Sequence, residues 1–147
     1  MLHDQLARKA TIDMLSAAPS AKLESLWQAL GITPEYRLVR GPETGLVMIR
    51  GRAGGGGAPF NLGEATVTRA TVRLASGEVG HSYALGRDGE RAVRAALLDA
   101  LWQRDPERIE TEVLAPLREA ATAADDKTRA ETAATKVNFF TMVRGDD

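Results

Sequence analysis

Five arginines, Arg50, Arg52, Arg69, Arg73 and Arg87, flank a run of four glycines, Gly54 to Gly57. Guanidinium groups grip phosphate oxygens through paired N–H donors. Successive glycine amides can form a concave nest for the same kind of anion. These residue types therefore describe anion recognition. Their spacing matches neither familiar phosphate loop. No Gly-Lys-Ser/Thr follows the glycines, as a P-loop requires, and the pattern after them is a strand where the dinucleotide fingerprint needs a helix. A flexible hairpin connection among solvated arginines is the simpler reading of the same stretch.

Beyond the glycines the chain stiffens. Pro59 fixes a backbone angle, Phe60 offers an apolar anchor, Asn61 favours a side-chain turn and Gly63 permits a positive φ. Glu64 stands at the loop exit, where it can accept a ribose hydroxyl, hold a metal-bound water or pair with Arg69. His81 is a proton carrier by type, but a lone histidine on a half-apolar strand is more often a packed, hydrogen-bonded residue. Asp88 is better explained as a helix cap than as a base, and Tyr36 and Tyr83 belong to no constellation. No set of nucleophile, base and orienting group emerges, which weighs against an enzyme that works alone. The chain has no cysteine and only two histidines, far apart at His3 and His81, so neither a thiolate nor a metal cluster is indicated.

The elements that would carry these residues follow from periodicity. Leu6, Ala10, Met14 and Ala17 predict a helix over 4–17 with that stripe inward. A second helix starts near Ser20, a candidate N-cap, and presents Leu23, Leu26, Trp27 and Leu30 before a C′ glycine at Gly31; the two helices are expected to pack as a pair. Tyr36–Arg40 reads as a strand and Pro42–Gly45 as a turn. Leu46–Arg52 reads as a second strand, whose unbroken apolar run implies burial on both faces. Ala65–Leu74 alternates Val67, Arg69, Thr71 and Arg73 against Thr68, Ala70, Val72 and Leu74. Ser76-Gly77 is a hairpin signal, and Val79, His81, Tyr83 and Leu85 line one face of the next strand. Asp88 caps a helix bearing Val93, Ala96, Leu97, Ala100 and Leu101. Asp105-Pro106 starts a short helix through Ile109 and Val113, and Pro116 starts another after a break. That last helix is rich in alanine and charge. Val137–Arg144, with Phe139 and Phe140, reads as a final strand, at an edge or in the sheet centre.

The expected architecture is α+β: an antiparallel sheet of about four to five strands packed with N-terminal and C-terminal helices, in one domain over 1–147. At 147 residues the chain can bury a real core. A net charge of −1 argues against a protein whose main task is coating nucleic acid. No signal-peptide core is present and no run approaches the roughly 18 apolar residues of a membrane span, so a cytoplasmic location without membrane attachment is expected.

Three stretches together resemble a known family. They are Pro59-Phe-Asn-Leu-Gly-Glu-Ala-Thr-Val-Thr-Arg69, then Gly86-Arg-Asp88, then Thr132-Ala-Ala-Thr-Lys-Val-Asn-Phe-Phe-Thr-Met-Val-Arg-Gly145. Their order and content are similar to the PhnG family of the bacterial carbon–phosphorus lyase system, and the likeness runs from about Arg8 to Arg144. The glycine run is longer than the family's usual loop. The resemblance implies a subunit acting with PhnH-, PhnI- and PhnL-type partners to transfer the ribose triphosphate moiety of ATP to methylphosphonate, releasing adenine. A core complex that includes a PhnJ-type subunit is implied as well. It implies a mainly structural role, no catalytic residue on this chain, no cofactor or metal held by the chain alone, and Mg-ATP as a substrate of the complex. It leaves room for a homodimer. Contacts to ligand or partner are then expected at Arg52, Asn61, Glu64, Arg69 and Arg87, with the Gly54–Gly57 backbone. An autonomous nucleotide- or phosphate-binding module and a regulatory adaptor are the competing readings.

Overall fold

The structure, a computed structural model, describes the backbone of residues 2–143 and the side chains of residues 2–135. Helices α1 (Leu2–Ala17) and α2 (Ser20–Leu30) come first. Three strands follow, β1 (Tyr36–Arg52), β2 (Pro59–Leu74) and β3 (Val79–Leu85). Helix α3 (Gly89–Arg104) then leads into α4 (Pro106–Ile109), a π turn over Glu110–Leu114, and α5 (Ala115–Val143). The α+β class holds. The sheet is antiparallel, in the order β1-β2-β3, and has three strands where four to five are expected.

Two causes account for the difference. First, Pro42–Gly45 is no turn. Gly41 adopts φ 77° before a cis Gly41–Pro42 bond, and the register slips between Arg40 and Glu43. The turn residues are thus absorbed as an irregularity inside one 17-residue strand. Second, residues 137–143 are helical and continue α5, while Arg144 lies outside the described residues. Their β-prone side chains follow a long alanine-rich helix, and continuing a formed helix costs less than nucleating a new element. Nor does Pro116 break the helical run. Proline cannot donate to the carbonyl one turn back; the preceding π turn, where the Ala115 N–H reaches the Glu110 carbonyl, takes up the mismatch.

Helix α3 forms the centre. It is buried along almost its whole length, at Ala92, Ala95, Ala96, Leu97, Leu98, Asp99, Ala100 and Leu101. One side meets the inward residues of the sheet, Ala70, Val72 and Leu74 of β2 with Ser82 and Ala84 of β3. The other meets α1, α2 and the α4 segment through Leu15, Leu23, Leu30, Ile109 and Val113. Helices α1 and α2 do not form the expected pair, because each packs on α3 instead. Nor does α1 bury the expected stripe. It turns Thr11 and Leu15 inward, leaving Leu2 and Leu6 exposed. The reason lies in Arg8, which shares the inward side and bonds the carboxylate of Asp99, a fully buried residue of α3. A buried carboxylate must be paired, and that pairing sets the rotation of α1.

Side chains tie off the helix ends. Asp88 accepts the Arg91 N–H at 3.0 Å, and Asp105 accepts the Arg108 N–H at 3.3 Å with Pro106 following, so both expected caps are present. Gly31 takes the left-handed C′ conformation at φ 64°. Ser20 does not cap α2; it donates to Asp88 at 2.9 Å, joining the starts of α2 and α3. The Arg91 guanidinium caps the end of α1 at the Ser16 and Ala18 carbonyls, and Arg108 caps α2 at the Leu30 carbonyl.

Candidate functional site

Strand length decides the shape of the functional surface. At about 3.3 Å per residue the 17 residues of β1 reach about 56 Å, while the 16 residues of α3 reach about 24 Å. The helix therefore covers only one end of the β1–β2 pair. Beyond Val67 the two strands run on as a ribbon, from Gly45 opposite Val67 to Arg52 opposite Pro59. Leu46, Met48, Ile49, Phe60 and Leu62 lie on it and are exposed, Leu46 and Leu62 at 62% each. The expected burial of Leu46–Arg52 on both faces is thus wrong. The apolar run is real, but no element covers it among the described residues. Sequence reasoning missed these residues as functional. The available signal was the mismatch between long strands and one covering helix.

The glycine run forms the tip, as in the plain hairpin reading. Gly54 and Gly55 take φ of 62° and 71°, conformations that favour glycine. The Gly56 N–H donates to Gly54 and the Gly57 N–H to Ala53. Two of the four glycine amides are thus committed to holding the turn.

The five expected contact residues spread along this ribbon and its root. Arg52 pairs with Pro59 beside the tip, Asn61 pairs with Arg50, and Glu64 pairs with Met48 midway. Arg69 lies at the root, opposite Glu43, with Nε 3.3 Å from its carboxylate. Arg87 follows Gly86, whose N–H meets the Thr66 carbonyl, so it too stands near the root. Arg69 lies ten steps along β2 from Pro59, about 33 Å. One small ligand cannot touch all five; an extended partner surface can.

The open face of the sheet, turned away from α3, carries a second feature. Arg37 stands directly opposite Arg73, and Arg40 opposite Thr71. Neither Arg37 nor Arg73 has a carboxylate partner among the described residues. Like charges placed opposite one another repel. His81 joins this face, exposed, with Nδ1 3.1 Å from the Thr71 hydroxyl, and Tyr83 lies beside Arg69. No base or acid is positioned to exchange a proton with this histidine among the described residues. Likewise no three His, Asp or Glu side chains gather there as a metal site, and no helix there is long and apolar enough to cross a membrane.

Fold and surface define an α+β protein with an exposed apolar surface on a projecting two-stranded ribbon with a basic root. The family model described as phosphonate metabolism protein PhnG matches residues 6–145. The alpha-D-ribose 1-methylphosphonate 5-triphosphate synthase subunit PhnG of Rhizobium meliloti (strain 1021) is 54% identical over 141 residues, covering 95% of this chain and 90% of that protein. The chain belongs to the PhnG family.

Proposed function

We propose that this chain is an assembly subunit of an alpha-D-ribose 1-methylphosphonate 5-triphosphate synthase in organophosphonate catabolism. The near full-length identity to the R. meliloti subunit supports the activity. One structural observation carries the role: large apolar side chains crowd a ribbon that nothing covers among the described residues. Apolar patches of this kind, left open on a projecting element, mark interaction sites. The partners are PhnI-, PhnH-, PhnL- and PhnJ-type subunits, and the complex moves the ribose triphosphate of ATP onto methylphosphonate with loss of adenine. Arg52, Asn61, Glu64, Arg69 and Arg87 contact partner or ligand within that assembly. Adenine release from Mg-ATP and methylphosphonate, measured with the other subunits in the presence and absence of this chain, tests the reading. Dependence on this chain is expected; equal release without it overturns the proposal.

The Arg37–Arg73 pair favours a second reading, an autonomous phosphate-binding module. Calorimetric titration of the isolated chain with Mg-ATP and methylphosphonate separates the two. Heat of binding supports the module, and its absence at high concentration removes it.

A further inference from the structure

The two edges of this sheet are treated differently. Along β3, side chains close the edge where it begins. The Val79 carbonyl accepts from Arg8 at 2.9 Å and from Gln103 at 2.8 Å, and the His81 N–H donates to Asp99 at 2.9 Å. Along β1 no such cover exists among the described residues. The direction of the main chain there follows from the ladder. The Thr66 carbonyl accepts from Gly86, so Thr66 directs its groups toward β3, and its neighbours Ala65 and Val67 direct theirs toward β1. Their partners, Val47 and Gly45, spend their groups on β2. Leu46 between them, and Met48 on the far side of Val47, point N–H and C=O outward. The free edge is therefore Leu46-Val47-Met48-Ile49, uncharged, β-prone and exposed apart from the half-buried Val47, with Met48 at 54%. A long apolar edge of unpaired groups is a template for an added strand.

We infer that the Leu46–Ile49 edge accepts an extended strand from a different subunit of the complex, with apolar side chains on both faces and an acidic residue where it meets Arg50 or Arg52. The inference rests on the assembly reading above. Charge selects the occupant. Arg50 and Arg52 are on the edge strand itself and have no carboxylate partner among the described residues. The β1 strand of a second copy does not supply one. Antiparallel pairing about a two-fold axis keeps each face of the sheet together, so Arg50 would meet even-numbered residues of the copy: Thr44, Leu46 or Met48. The nearby carboxylate on β1, Glu43, lies on the opposite face and is engaged by Arg69. A foreign strand ending in Asp or Glu satisfies both the main chain and the arginines.

Met48→Pro tests this in the full chain co-expressed with the other synthase subunits. Proline there removes an outward N–H and leaves the bonds to β2 in place. The variant is expected to keep the wild-type circular dichroism and to lose at least tenfold in recovery of the co-purified complex. Arg50→Glu is expected to lower recovery and raise its salt sensitivity. Hydrogen exchange on wild type provides the check that needs no variant: the Leu46 and Met48 amides should slow strongly in the complex and exchange fast in the isolated chain. Full recovery with a folded Met48→Pro, or fast exchange at both amides in the complex, overturns the edge. A wild-type dimer that Met48→Pro turns into a monomer, with hetero-assembly untouched, overturns it in favour of a second copy. Failure of wild type to join the other subunits at all overturns the assembly reading itself, a result distinct from the others.

Discussion

Gly80 of β3 lies so close to Ala96 of α3 that a Cβ built on the glycine would stand 1.9 Å from the Ala96 carbonyl oxygen. It would also lie 2.8 Å from the Ala100 N and 2.9 Å from its Cβ. These neighbours are mostly backbone, and a helix backbone cannot step aside as a flexible side chain can. The missing side chain is thus what lets α3 settle on the sheet, with Ala96 and Ala100 chosen for their smallness. Gly80→Ala is expected to cost about 3 kcal/mol, the upper range for forcing extra volume into a packed core. A urea midpoint series reads this directly. A loss below about 0.5 kcal/mol, the scale of an ordinary surface change, would show that the helix can move away freely.

The Arg8–Asp99 pair joins the first helix to the central one across 91 residues of sequence. Asp99 is fully buried, and its Oδ2 takes both the guanidinium at 3.0 Å and the His81 N–H at 2.9 Å. Arg8→Ala strands the carboxylate in the core with one N–H for support. The expected cost is about 3 kcal/mol, near the low end for breaking a buried pair, because Arg8 itself is one-third exposed and water reaches it. Asp99→Asn keeps the shape and acceptor oxygen and is expected to cost less than Arg8→Ala. Thermal unfolding of both variants ranks them, and the reverse order would contradict this account.

Asp88 brings a pH dependence of known sign. The Arg91 N–H first and the Ser20 hydroxyl second hold its carboxyl below the usual range; burial opposes them, and the Arg91 and Arg94 guanidinium groups add smaller lowering contributions. A depressed folded-state pKa means that the ionised cap stabilises the fold above the ordinary carboxylate pKa of about 4 and loses that contribution as pH falls below it. Asp88→Ala should cost about 1 kcal/mol at pH 7, as an N-cap loss does. The gap between wild type and variant should narrow as pH falls below about 4, the ordinary carboxylate value. Urea midpoints at several pH values measure it, and a gap that stays constant in acid would refute the assignment.

Local chemistry explains which parts of this fold can be read from the chain. Asp88, Asp105-Pro106 and Gly31 act within one helical turn, so their roles follow from sequence neighbours alone. The alternation likewise fixes the inward and outward faces of β2 from Thr68 to Leu74 and of β3 from Val79 to Leu85, while Val67, on the outward side, is buried as well. What escapes is set at long range. The rotation of α1 depends on Asp99, 91 residues away from Arg8. The apolar run Leu46–Ile49 looks buried because apolar side chains usually are, and only the shortness of α3 beside β1 reveals it as exposed. Pro42 looks like a turn because its neighbours have turn chemistry, yet Glu43, Thr44 and Gly45 still find partners on β2 and keep the strand whole. For the candidate site, the residue types around the glycine run were legible, while their spread along a ribbon was not.

The contact residues at the root of the ribbon separate recognition of ligand from assembly. Arg69 is the less free of the two, since its guanidinium already meets Glu43, while Arg87 follows a glycine at φ 102° in the β3–α3 connection. Both side chains are exposed, so reversing their charge removes little packing and should shift stability by less than about 0.5 kcal/mol. If they hold phosphate or phosphonate oxygens in the assembled synthase, Arg87→Glu should lower adenine release at least tenfold with the complex recovered intact. One lost charge-assisted contact of about 1.5 to 3 kcal/mol corresponds to a change of that size. Arg69→Glu should lower release as well, and Arg69→Glu combined with Glu43→Arg restores the ion pair without restoring release. Parallel loss of recovery and release in the single variants would place both arginines in subunit contact instead. Recovery of activity in the charge-swapped double variant would assign Arg69 to holding β1 against β2 alone.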